Sequence, residues 1–345
     1  MTGSSSTARL ARFGLLLASL GLVAVVAEIT IRATWKQPWW EQIRAEQTWG
    51  SEDADRARNE PTRFRVGPYD LPLRGAPAAD PKSPATHRTL FLGDSFTYGL
   101  AVDPPATFVG RIEARLNETR PLPGIEHYEV YNGGIPGSLT PAWHALLAAF
   151  GRTYQPDLVV AVFFLRDGVA GVTTLGQIDA IRDQMQRLAR ESFAYRHSYL
   201  FRFVRARYEQ RALSARYLAR LRAGYLGSEA EQAEWWRARI ELLWLRRESH
   251  RLGARFALVV FPMLYRLDDD YPLADVVDAV TGFAADEEIP VFSLLPAFRG
   301  LHAPDLWLSP FDQHPNARAH AIAAEALWPF IEQQIGAGRP GGGSG

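Results

Sequence analysis

Thr89-Leu-Phe-Leu-Gly-Asp-Ser-Phe-Thr-Tyr-Gly99 is the stretch on which the fold turns. A short apolar run, Thr89–Leu92, reads as a strand and ends in a glycine, an aspartate and a serine. Ser95 is thereby placed just past the carboxyl end of that strand, the edge at which open α/β sheets bind ligands. A helix starting there aims backbone N–H groups at the site and favours developing negative charge. Gly93 and Gly99 allow tight turns on either side of the serine. A serine in such a turn, taken by itself, is an ordinary helix N-cap.

Four further apolar runs share that character: Glu129–Tyr131, Leu158–Leu165, Phe256–Phe261 and Val291–Leu294. Helical spacing intervenes at Phe108–Leu116 and Trp143–Phe150. A last helix is expected from about Asn316 to Ile335, burying Ile322, Ala326, Leu327, Phe330 and Ile331. Strands alternating with helices predict βαβ units and a parallel sheet of five strands.

The chain has 345 residues, 47% of them hydrophobic, enough for one substantial core and accessory segments. Its 38 basic and 38 acidic side chains balance, which argues against a general nucleic-acid binder. With no cysteine, disulfides, thiolate catalysis and cysteine-ligated zinc are excluded. No Walker loop, His-Glu-x-x-His or metal-spaced carboxylate cluster occurs, so no metal or organic cofactor is implied. Asn117-Glu-Thr119 matches a glycosylation sequon by pattern only, and His320 reads as a structural histidine on the last helix.

Arg9 and Arg12 precede an uncharged run, Phe13 to Ala27, followed by Glu28 and Ile29-Thr-Ile31. At about 1.5 Å per residue this segment approaches the thickness of a bilayer core. Basic residues before it favour a cytoplasmic N-terminus and an exported, periplasmic or extracellular body. A released protein, cleaved after Val25-Val26-Ala27, and a buried soluble helix are the alternatives. Trp35, Trp39 and Trp40 suit an interfacial aromatic belt, or packing on the body. Residues 1–33 are thus read as anchor or signal, 34–87 as an extracytoplasmic linker, 88–335 as the main domain and 336–345 as a glycine-rich, disordered tail.

Residues 174–252 form an expected helical insert between the third and fourth strands. It is rich in arginine (Arg202, Arg205, Arg207, Arg211, Arg216, Arg220, Arg222) and ends near Trp235, Trp236 and Trp244. It reads either as a cap for anionic headgroups or an acidic glycan, or as a solvated helical hairpin with snorkelling arginines.

A second motif, Asp312-Gln-His-Pro-Asn316, lies just before the last helix. A carboxylate two residues before His314 can reach the imidazole nitrogen that faces away from a nucleophile, fixing the tautomer and stabilising the imidazolium. Ser95, His314 and Asp312 are therefore candidates for nucleophile, base and orienting group of serine-based acyl chemistry.

On these residues the chain resembles the SGNH hydrolases, the GDSL-type esterases and lipases, in their membrane-anchored bacterial form. Gly93–Gly99 resembles the first family block, Asn132-Gly-Gly-Ile-Pro-Gly137 the second and Asp312–Asn316 the last, in order, over roughly residues 88–333. The resemblance implies a three-layer α/β/α sandwich with a five-stranded parallel sheet, flavodoxin-like. It also implies ester hydrolysis through an acyl-serine, with the backbone N–H groups of Ser95 and Gly134 as oxyanion donors. One position departs. Arg166 stands where the family's third block carries an asparagine whose amide completes the oxyanion hole. Three roles are open to Arg166: a charged donor to the oxyanion, a partner for a substrate carboxylate or phosphate, or a partner for Asp167 or another acid. The expected substrates are ester-bearing small molecules, glycans or lipids, including O-acetyl groups of envelope polysaccharide. The alternatives are an O-acyltransferase using the same three residues and a non-catalytic, membrane-tethered glycan-binding or assembly protein.

Overall fold

The computed structural model describes residues 4–35, 62–66, 69–73, 82–169, 174–309 and 312–337. Trp39, Trp40, most of the 34–87 linker and residues 338–345 of the tail lie outside the described residues. In chain order the elements are helix α1 (Ser4–Thr34), strands β1 (Thr62–Val66), β2 (Tyr69–Leu73) and β3 (Thr86–Gly93), helices α2 (Ser95–Tyr98) and α3 (Phe108–Thr119), strand β4 (His127–Gly134), helix α4 (Thr140–Tyr154) and strand β5 (Leu158–Phe164). Helices α5 (Thr174–Glu191), α6 (Phe193–His197), α7 (Tyr199–Leu226) and α8 (Ala233–Arg251) follow. The chain then forms β6 (Arg255–Phe261), α9 (Ala274–Asp286), β7 (Val291–Ser293), α10 (Leu295–Phe298) and α11 (Ala317–Gly336).

Two compact units divide the chain. The larger comprises residues 46–172 and 218–345. Its five-stranded sheet has the order β4-β3-β5-β6-β7, and every neighbouring pair is parallel. In sequence rank this is 2-1-3-4-5, the flavodoxin-like doubly wound order that the resemblance implied. Strands β3 and β5 are buried along their whole length, as strands covered by helices on both faces must be. Right-handed crossovers put α3 on one face and α4, α8 and α9 on the other, because the winding reverses at β3. Accordingly α11 packs on α3, and α4 on α8. A separate antiparallel hairpin, β1–β2, precedes the sheet.

Two boundaries differ from the sequence pattern for physical reasons. Strand β4 runs on through Asn132-Gly-Gly134, residues of poor strand propensity, because they pair in register with Phe91, Leu92 and Gly93. The stretch read as one helical insert divides: α8 packs on α4 and β6 as the crossover helix, with Trp235, Leu242 and Leu245 buried.

The smaller unit comprises residues 1–45 and 173–217. Among the described residues, Ala11–Thr34 of α1 is a helix long and apolar enough to cross a membrane, with mean hydropathy 2.2 and no part of it buried. Near its end, Glu28 accepts hydrogen bonds from the Tyr199 N–H (2.8 Å), the Leu200 N–H (2.8 Å) and the Ser198 hydroxyl (2.9 Å). The carboxylate thus satisfies N–H groups that the start of α7 cannot pair internally. Trp35 packs edge-on against Phe203 at 5.7 Å, and Tyr199 lies 4.8 Å from the guanidinium of Arg32 and 4.8 Å from that of Arg202.

Candidate active site

Ser95 opens α2, one turn long, at the carboxyl end of β3 and beside the point where the sheet's winding reverses. Asp94 caps the turn through its Oδ1, which accepts from the Phe96 N–H at 2.9 Å. Gly99 ends it at φ 73°, in the left-handed region that glycine enters without a Cβ penalty. As the first helical residue, Ser95 has an N–H with no intrahelical acceptor. Asn132 on β4 braces the turn, its Nδ2 donating to the carbonyls of Thr97 (2.9 Å) and Tyr98 (3.4 Å). At Gly134 a Cβ would stand 2.2 Å from the Tyr98 nitrogen, so only glycine lets β4 come this close to the nucleophile's turn.

His314 arrives from the other end of the domain, on the loop before α11. That loop is held by the Leu308 N–H donating to the His314 carbonyl (3.0 Å) and by a bridge between Trp307 and Pro315. Asn316 caps α11, its Oδ1 accepting from the N–H groups of Arg318 and Ala319, and its Nδ2 ties back to the carbonyls of Asp305 and Trp307. Phe96, stacked on Phe164 at 4.0 Å, lies 5.5 Å from the imidazole and gives it an apolar wall.

These elements bring three expected residues together. Ser95 Oγ is 2.9 Å from His314 Nε2, and His314 Nδ1 is 2.5 Å from Asp312 Oδ1. Asp312 Oδ1 also accepts from the His314 backbone N–H at 3.0 Å, a second tie between the carboxylate and the residue it orients. With Nδ1–H donating to Asp312, Nε2 is left to accept the serine proton. Burial works to raise the Asp312 carboxyl, but its hydrogen bond to the His314 ring and the charge there hold it below the ordinary value. The arrangement can deprotonate a hydroxyl and carry the proton to a leaving group.

The other two expected residues are placed differently. The Gly134 N–H, expected above to face an oxyanion, donates to Asn132 Oδ1 at 3.0 Å. Arg166 follows β5 and turns its Nη2 to Asp94 Oδ2 (3.2 Å), the Ser138 carbonyl (3.4 Å) and Asp167 Oδ1 (3.6 Å). Of the three roles open to it, the structure shows pairing with acids. Asp94 is 1% exposed and Asp167 3%. Burial pushes both carboxyls up, Asp167 further because Asp94 lies near it; the Arg166 guanidinium opposes both shifts. Asp167 was already named as an acid open to Arg166; the pairing with Asp94, 72 residues away along the chain, had no local signal.

Among the described residues no group of histidines, cysteines and carboxylates could hold a metal ion. A cavity of about 350 Å³ opens at the opposite, amino-terminal edge of the sheet, lined by Lys82, His87, Asp157 and Arg255 among others. It is remote from Ser95. His320 is buried in α11, where its Nδ1 accepts from the Phe108 N–H at 3.2 Å, the structural place expected for it.

No family model matches this chain, and no curated protein does. Among solved structures it is similar to Axe2, an acetylxylan esterase from Geobacillus stearothermophilus, at 16% identity and TM-score 0.42, covering 73% of this chain and 95% of that one. It is similar to a two-domain esterase, CEX, active on acetylated mannans, at 15% identity and TM-score 0.42, over 74% of this chain and 51% of that one. The lipase/acylhydrolase from Enterococcus faecalis aligns at 16% identity and TM-score 0.38, over 72% and 96%.

Proposed function

We propose that this protein is a serine ester hydrolase held at a membrane by α1. The observation that carries the reading is the relay Ser95 Oγ–His314 Nε2 at 2.9 Å and His314 Nδ1–Asp312 Oδ1 at 2.5 Å, at the ligand-binding edge of the sheet. Ser95 Oγ attacks an ester carbonyl as His314 takes its proton. The tetrahedral intermediate collapses, His314 protonates the departing alcohol, and an acyl-Ser95 ester remains. Water, deprotonated by His314, attacks that ester, and the serine is regenerated with release of the acid. Asp312 keeps His314 in the right tautomer and stabilises the imidazolium.

The Ser95 N–H, free at the start of α2, is the first oxyanion donor. Gly134 joins it only by giving up Asn132 Oδ1. Arg166 acts on the site through Asp94 rather than through the oxyanion. It holds a positive charge beside a buried carboxylate whose own Oδ1 caps the nucleophile's turn. An O-acyl group on an envelope polysaccharide or lipid is the substrate class that an exported, anchored body favours. An acceptor hydroxyl in place of water would make the same relay an acyltransferase.

The test is a fluorophosphonate probe on the full chain in detergent, read as an adduct mass, with Ser95→Ala as control. Phosphonylation at Ser95 alone is the expected result. A folded protein that stays unlabelled would sink the enzymatic reading in favour of a tethered binding protein. Offering labelled acyl-enzyme water or a sugar alcohol then separates hydrolysis from transfer.

A further inference from the structure

The smaller unit carries an exposed helix face whose character is the reverse of a solvated one. Along α7 the outward positions are Phe201 (41% exposed), Val204 (57%), Arg207, Tyr208 (60%) and Arg211, while Ala206, Glu209 and Leu213 are buried. Positions 201, 204, 208 and 211 follow helical spacing, so three apolar or aromatic side chains and Arg211 share one stripe, with Arg207 three residues after Val204 at its edge. Phe193 of α6, 72% exposed, stands just before it. A face of this kind needs something to cover it.

The end of α1 lies beside the start of α7. Glu28, in the last turns of the apolar span, holds the first N–H groups of α7, and Trp35 at the end of α1 packs on Phe203. With α1 across a bilayer, the start of α7 is therefore fixed where the hydrocarbon gives way to headgroups. Residues 193–211 contain five arginines and one carboxylate, Glu209, which Arg205 pairs at 2.5 Å. Arg202 is occupied too, donating to the carbonyls of Tyr195 (2.6 Å) and Arg196 (2.5 Å). Arg207 and Arg211 face outward, Arg207 with one bond to Gln210 Oε1 (3.3 Å) and its guanidinium 5.3 Å from the Phe203 ring.

We propose that the α6–α7 segment, residues 193–211, is an interfacial membrane element. In it Phe193, Phe201, Val204 and Tyr208 enter the headgroup region, and Arg207 and Arg211 bind the phosphates of anionic lipids. Apolar side chains inserted beside basic ones are the chemistry by which such helices lie in an interface. The inference rests on α1 being a membrane span. Its consequence is that the second contact fixes how the unit stands on the bilayer, which a single helix alone leaves free to swivel.

The absence of cysteine makes the test clean. Single cysteines replacing Phe201, Val204 or Tyr208 are labelled with an environment-sensitive dye in the full chain, in nanodiscs of phosphatidylcholine with or without phosphatidylglycerol. Leu17→Cys reports the span, and Glu229→Cys an exposed turn of the larger unit. The expected result is blue-shifted emission and protection from aqueous iodide at 201, 204 and 208, with Glu229→Cys quenched freely. Protection should be stronger with phosphatidylglycerol, and Arg207→Gln with Arg211→Gln should abolish that increment. Labels at 201, 204 and 208 quenched as freely as at 229, with position 17 protected, overturn the proposal and leave the anchor standing. Free quenching at position 17 removes the anchor itself, and with it the proposal. Equal protection in both lipids overturns the assignment of anionic headgroups.

Discussion

Replacing Arg166 by asparagine, the residue that the resemblance would place there, should damage the protein rather than improve it. Asp94 and Asp167 are almost wholly buried, and Arg166 is the cation that opposes the rise in both carboxyls. Removing one member of a buried ion pair typically costs about 3–5 kcal/mol. Arg166 is 26% exposed, so the lower end applies. For a domain of this size ~3 kcal/mol lowers the melting temperature by about 6–12 °C. The loss must depend on pH. Both folded carboxyls already sit above their ordinary value of 3.8, and without the guanidinium they rise further. Above about pH 4 the unfolded chain has released these protons while the folded variant still holds them, so its stability falls as pH rises towards the folded values. The deficit of Arg166→Asn should therefore be larger at pH 8 than at pH 5. Adding Asp167→Asn removes one of the two uncompensated carboxyls and its repulsion with Asp94, and should restore part of the loss. The assay is the near-UV circular dichroism transition of the full chain in detergent at both pH values. Parent and single variant melting together at pH 8, or a double variant no more stable than the single, would refute the reasoning.

Asp312→Asn should leave the fold intact and slow fluorophosphonate labelling of Ser95 by about 10⁴-fold, since the wrong tautomer then faces the serine; a slowing under tenfold would remove Asp312 from the relay. Gly134→Ala should lower both melting temperature and labelling, because its Cβ meets backbone atoms of Tyr98 at 2.2 and 2.7 Å. Gly137→Ala, at φ 76° with open space around it, should cost only the left-handed backbone penalty of about 1–2 kcal/mol and spare the labelling rate; equal effects of the two on labelling would contradict the close approach. Asn316→Ala removes the cap of α11 and should cost about 1–2 kcal/mol in chemical denaturation, with a slower reaction at Ser95 because the His314 loop loses its tie to Asp305 and Trp307.

The sheet was legible because its strands announce themselves. Leu158–Phe164 is buried from end to end, and an unbroken apolar run is what such burial requires. Ser95, His314 and Asp312 were legible as candidates because two short motifs, one after the first strand of the sheet and one before the last helix, carry a hydroxyl, an imidazole and a carboxylate, and parallel strands gather their carboxyl ends on one edge. Strand β4 was only half visible, since Asn132-Gly-Gly134 joins the sheet through its partner's register rather than its own propensity. An acid partner for Arg166 was one of three readings; that Asp94 would be among its partners was not visible. Three acceptors compete for its guanidinium, and which of them wins depends on Asp94, 72 residues away along the chain. Likewise, arginine content marked out the insert, but not that α8 belongs to the sandwich, nor that Glu28 would terminate on the start of α7.

One turn of helix carries the nucleophile, and the brevity of that turn sets how the site comes apart. The N–H of Tyr98 bonds the Asp94 carbonyl, and those of Gly99 and Leu100 bond the carbonyl of Ser95. Asn132 fastens the same turn to β4 from the side. So short a segment has no interior that could survive apart from its neighbours, and no frayed end that could open before them. The bonded N–H groups of Phe96, Tyr98 and Gly99 should exchange with deuterium at the pace of the central strands, not at that of a surface loop. The nucleophile would then be lost in the same cooperative event that dissolves the sheet, and the lifetime of the relay would equal the lifetime of the domain.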